Sequence, residues 1–108
     1  GEEPNAFIVV CSDVTGRYVD IDLGISAQSM LLKAAEIGLN GICIAAFNHE
    51  AVKEALHLNI EPVLIIAIGR GKEKIELVEI SADKPHAYYR RDGVHYVPKV
   101  KLDDLIIE

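Results

Sequence analysis

Aromatic side chains are scarce in this chain of 108 residues: two Phe, four Tyr and no Trp make up 6% of it. Half of the residues are nevertheless hydrophobic, so the apolar bulk is Ile, Leu, Val and Ala. That is rich for a chain too short to bury a large fraction of its surface. The surplus predicts an interface that hides apolar side chains against another copy or a further segment. Cations are also few. Eleven Lys and Arg against 17 Asp and Glu leave a formal net charge of −6, which argues against a nucleic-acid partner held by counterion release. Long hydrophobic runs are missing too: Ala6–Cys11 and Val63–Ile68 fall far below the ~20 residues that span a bilayer. With no signal-peptide pattern at the N-terminus, no membrane partner and a cytoplasmic location are expected. Only two cysteines occur, Cys11 and Cys43. They form no Cys-x-x-Cys pair, and no His spacing completes a metal site, so two reduced, buried thiols are expected. Residue 1 is Gly rather than Met, which suggests a start within a longer gene product.

What is present is a sequence of short apolar runs. Asn5–Ser12 reads as a central strand covered on both faces, followed by a polar loop over Ser12–Tyr18. From Asp20 to Glu36 the period becomes helical: Asp22, Ser26, Ser29, Lys33 and Glu36 draw one narrow polar stripe on an otherwise apolar surface. This predicts a helix buried on most sides, capped by Asp20 or Asp22 and stopped at Gly38. Gly41–Phe47 reads as a second buried strand. Asn48 then caps a short helix from His49 to about His57, and Pro62–Gly69 reads as a third buried strand with its proline at the first position. Beyond Gly69, Ile75–Ile80 has the acidic interruptions of an edge strand. Tyr88–Val97 reads as a hairpin turning at Asp92-Gly93. The tail Leu102–Ile107 reads as a short helix or a docked extension. Alternating strands and helices predict an α+β fold with α/β layering. We expect a single domain over residues 1–108, with a core at 5–70 and a C-terminal hairpin and extension at 75–108.

Most familiar chemistry is excluded. Gly69-Arg70-Gly71-Lys72 lacks the spacing and the Ser/Thr of a phosphate loop, and reads as a strand-end turn with exposed basic residues. No Gly-x-Ser-x-Gly elbow occurs. His49, His57, His86 and His95 lack a neighbouring nucleophile or second ligand, and read as surface or hairpin residues. The pairs Asp20/Asp22 and Asp103/Asp104 read as helix-start residues that complement the dipole. Lys99 and Lys101 remain. Two apart in an extended segment, they point one way and are either two solvated lysines or two cations on one phosphate.

The order of segments adds a resemblance. Asp20-Ile21-Asp22-Leu23-Gly24-Ile25-Ser26-Ala27-Gln28-Ser29-Met30-Leu31-Leu32-Lys33-Ala34-Ala35, then Gly38-Leu39, then Ile44-Ala45-Ala46-Phe47, resembles the second half of the nitroreductase family. Val52, Leu56-His57-Leu58, Pro62 and the strand closing at Gly69 fit the same order. Tyr96-Val97-Pro98-Lys99-Val100-Lys101-Leu102 is similar to the family's closing segment. The resemblance implies a homodimer with FMN at the interface, the long helix in the dimer core and the C-terminal extension reaching the other subunit. It implies an enzyme that passes a hydride from NAD(P)H through FMN to a nitroaromatic, a quinone or a related small-molecule acceptor. It places Ala45 and Ala46 beside the flavin ring and Lys99 and Lys101 on the FMN phosphate, with no catalytic side chain and no metal. The chain would then be the C-terminal half of the protein, active together with an N-terminal half whose Arg-Ser-x-Arg element does not occur in these residues. A flavin-free dimerisation or ligand-binding module derived from the same fold is the alternative.

Overall fold

A computed structural model describes residues 4–107. They form a mixed α+β structure in two compact units, Gly1–Gly71 and Lys72–Glu108.

The first unit runs β1 (Ala6–Ser12), α1 (Arg17–Glu36), β2 (Asn40–Ile44), α2 (His49–Ala55) and β3 (Glu61–Gly69). Its sheet has the order β1-β3-β2, and β3 is antiparallel to both neighbours. The first apolar run is therefore an edge strand, not the expected centre. A run without alternation shows that a strand has apolar side chains on both faces, but not its place in the sheet. Ile66 in β3 is fully buried and Ala67 is nearly so. Burying one such isoleucine contributes about 1.5–3 kcal/mol. Pro62 is buried at the second position of β3, not the first. It lies beyond the stretch paired with β2, and opposite it β1 shifts register between Val10 and Cys11. A residue without an N–H is tolerated where one flanking strand has stopped and β3 itself bulges, leaving Val63 without a partner on β1.

Helix α1 begins at Arg17, earlier than the expected caps allow. Gly16 is the N-cap and no side chain caps the helix, so Asp20 lies in the first turn, where its charge complements the dipole. The C-terminus closes as expected. Gly38 has φ 83, Leu39 N donates to Ala34 O at 2.8 Å and Gly38 N donates to Ala35 O at 3.1 Å, the two bonds of a Schellman stop. The helix meets the sheet at Gly41, where a methyl group would stand 2.5 Å from Leu31 Cδ2. Ala27 and Ala34 are its buried residues. The expectation of a helix buried on most sides is thus not met within this chain. Leu23, Ala27, Met30, Leu31 and Ala34 make the inward stripe, whereas Ile21, Ile25 and Leu32 lie opposite and are exposed. A single sheet face can cover only one stripe of a helix.

The second unit has the order β4-β6-β5, with β4 (Lys74–Ile80) parallel to β6 (Val94–Val100) and β5 (Tyr89–Arg91) antiparallel to β6. β4 is the half-exposed edge strand its acidic interruptions predict. The hairpin turns at Asp92-Gly93, with φ 52 and 80, the positive pair that a two-residue type I′ turn requires. Tyr89 stacks on its register partner Tyr96 at 5.1 Å, and the Arg91 guanidinium lies 5.9 Å from the Tyr89 ring. The Tyr89–Tyr96 pair, which crosses from β5 to β6, helps hold the short ribbon together. The tail forms α3 (Leu102–Leu105), and Leu102, Leu105, Ile106 and Ile107 are exposed.

Candidate functional site

β2 ends at Ile44, so Ala45 and Ala46 follow the ladder rather than belonging to it, and both are exposed. Just beyond, the Phe47 and His49 rings lie parallel within 3°, with centroids 4.1 Å apart. Asn48 between them caps α2, its Oδ1 accepting from Ala51 N at 3.0 Å, as its position before the helix predicts. The cap and the stack together fix the chain's path out of β2.

Lys99 and Lys101 stand in the second unit. Lys99 is exposed on β6 and makes no ion pair among the described residues. Lys101 is half-buried. Its backbone is extended, with N donating to Ile80 O at 2.8 Å, and its Nζ lies 3.8 Å from Asp104 Oδ1. An extended backbone through Lys101 is the geometry in which residues two apart point to one side. The two alanines belong to the first unit and the two lysines to the second.

The cysteines depart from expectation. Cys11 is half-buried and Cys43 exposed, because β2 is a sheet edge that α1 approaches at Gly41. His49, His57 and His86 are exposed, and His95 lies in the hairpin, all as expected, but the His95 side chain is largely covered. Its Nδ1 lies 4.0 Å from Glu73 Oε1, and Glu73 Oε2 accepts from Arg90 Nε at 2.6 Å. The hydrogen bond to Glu73 first, and its charge second, raise the Arg90 pKa above the ordinary guanidinium value. Sequence reading missed this cluster, although one signal was available: a turn at 92–93 makes Arg90 and His95 partners across the hairpin. Glu73 lies outside the hairpin and gave no such signal.

The described residues thus form a mixed α+β chain in which Ala45 and Ala46 follow β2, Lys99 lies in β6 and Lys101 just beyond it. Residues 4–70 match the Nitroreductase family, and the chain belongs to that family. A similar protein is the one named "Putative nitroreductase" in Methanocaldococcus jannaschii. It is 33% identical over 57 residues, which cover 53% of this chain and 29% of that protein. The match thus takes in less than a third of the relative's length. Among the described residues, no helix is long and apolar enough to cross a membrane.

Proposed function

We propose that the chain is part of an FMN-dependent NAD(P)H oxidoreductase acting on nitroaromatic, quinone or similar acceptors. The observation that carries this reading is the family match over residues 4–70. It contains α1 and the strand end that the sequence resemblance sets beside a flavin. Bound FMN would supply the hydride chemistry, and the protein would hold and tune it. In this reading the backbone at Ala45 and Ala46 flanks the flavin ring, and the small side chains let it approach closely. Lys99 and Lys101 neutralise the phosphate. Lys101 lacks the two-pronged fork that an arginine would offer a phosphate, and Asp104 competes for it, so Lys99 carries more of the binding. No side-chain nucleophile is required. The exposed stripe Ile21, Ile25 and Leu32 supports a covering partner, either a second copy in a homodimer or an N-terminal half. A cytoplasmic setting fits soluble small-molecule substrates.

The test is the absorbance spectrum of the intact gene product, with and without added FMN. Flavin bands in the visible range and quenched flavin fluorescence are expected. A colourless protein that ignores FMN would sink the proposal. It would favour instead a flavin-free dimerisation or ligand-binding module, for which the same uncovered stripe is the motivating feature.

A further inference from the structure

The second unit holds a buried nitrogen that nothing satisfies. The His95 side chain is only 15% exposed, and its Nδ1 is buried without a hydrogen-bond partner. Buried polar atoms are normally paired, so an orphan calls for a physical account. The surroundings of the ring are defined. Ile75 of β4 and Arg90 of β5 are its register partners on either side. The Tyr88 ring lies 5.0 Å away, tilted by 44°. Lys74, Glu76 and Tyr96 are adjacent in register to this row and point to the opposite face of the sheet by strand alternation. The titratable groups that meet the ring include Arg90 across the hairpin, Tyr88 and Glu73, and Glu73 comes from the segment just before β4.

The gap between Nδ1 and Glu73 Oε1 is 4.0 Å, too long for a hydrogen bond yet closed by a movement of about 1.2 Å to a charge-assisted one. Glu73 can make that bond without releasing Arg90, because the guanidinium sits on Oε2 and an ionised carboxylate accepts at both oxygens. We propose that His95 and Glu73 form a proton-operated latch, which fastens the segment entering β4 to the hairpin of β5 and β6. When His95 takes a proton from solvent, Nδ1 becomes a charged donor and closes on Oε1. When the proton leaves, the bond is lost and Glu73 is held by the hairpin through Arg90. The charges nearest the ring, the Arg90 guanidinium and the Glu73 carboxylate, are bonded to each other. Glu73 stands two residues beyond Gly71, where the first unit ends. The latch thus acts on the first residues of the second unit, and it is independent of any flavin.

Nuclear magnetic resonance on the intact protein tests this. The His95 ring signals and the amides of Glu73 and Lys74 are followed from about pH 5 to pH 8.5, the range in which imidazoles change charge. The Glu73 and Lys74 amides are expected to move in step with the His95 ring. Once corrected for intrinsic rates, their hydrogen exchange should be about tenfold slower on the acid side, as for a locally restrained segment. Glu73→Gln keeps an acceptor for Arg90 and removes the charge, so the two amides should stop following the ring. Amides that ignore the ring in the wild type, or that follow it equally in Glu73→Gln, overturn the latch. If Glu73→Gln does not fold, His95→Gln is used instead, and amide shifts that persist over the same pH range in that variant overturn it equally.

Discussion

His57 has φ 54 at the end of α2, where Leu58 N donates to Lys53 O at 2.9 Å and His57 N to Glu54 O at 3.2 Å. This is the same stop that Gly38 gives α1, but built on a residue with a side chain. The left-handed conformation costs a non-glycine residue about 1–2 kcal/mol, part of which glycine returns as lost chain entropy. His57→Gly should therefore stabilise the first unit by about 1 kcal/mol, seen as a higher urea midpoint at unchanged slope. Lys74 gives a prediction in pH. Its hydrogen bond with Glu76, 2.9 Å long, raises the ammonium pKa above the ordinary 10.5, with the charge of Glu76 as the second cause. A raised value means that the contribution is fully present below pH 10.5 and is lost as pH rises through the folded-state value. Comparing denaturation at about pH 9 and above about pH 11 should show a loss in the wild type that Glu76→Gln lacks in part. Lys74 is exposed and Glu76 only partly covered, so solvent screens the pair and the effect is small. At the proposed cofactor site, Lys99→Ala should weaken FMN binding about tenfold, the loss of one charge-assisted contact. Fluorescence titration measures it, and Lys101→Ala should cost less because Asp104 already engages that ammonium.

Between elements, the decisive contact is α1 on β2. The Gly41→Ala methyl would press on Leu31 Cδ2, the movable end of a side chain, so a loss of about 1 kcal/mol is expected. Combining it with Leu31→Ala should cost less than the sum of the two, a coupling that a double-mutant cycle reads directly. Elements of this kind were legible in the sequence. Helical spacing marked α1, Asn48 marked the start of α2, and Asp92-Gly93 marked the hairpin, because each signal acts within a few residues. The cap of α1 was not legible. Two aspartates offered themselves, yet the helix starts earlier at Gly16 without a side-chain cap. Strand order was equally hidden, since apolar runs such as Ala6–Cys11 and Val63–Ile68 carry no sign of direction or of neighbours. The lysine pair was visible only as spacing, and the Glu73–Arg90–His95 cluster needed the register before its members could meet.

For the whole molecule, the exposed side of α1 is the feature to probe. Ile25 and Leu32 are about 60% exposed, at 62% and 60%, and neither contributes to the packing of α1 on the sheet. Ile25→Asp and Leu32→Asp should leave the stability of the isolated first unit within about 0.5 kcal/mol. In the intact protein the same changes should shift sedimentation toward smaller species, because a charge would then be buried without a partner. Unchanged sedimentation would place the partner interface elsewhere. The sheet order has a different consequence, in the time domain. The central strand β3 is the last of its sheet to be synthesised, and β1 and β2 can be joined only through it. At about 5–20 residues per second, a ribosome takes several seconds to deliver the roughly fifty residues between the end of β1 and the start of β3. Throughout that interval Phe7, Ile8, Val9 and Val10 emerge with no strand to pair with. A nascent chain of this protein is therefore a natural client for holding chaperones, and slowing its translation should increase aggregation rather than relieve it.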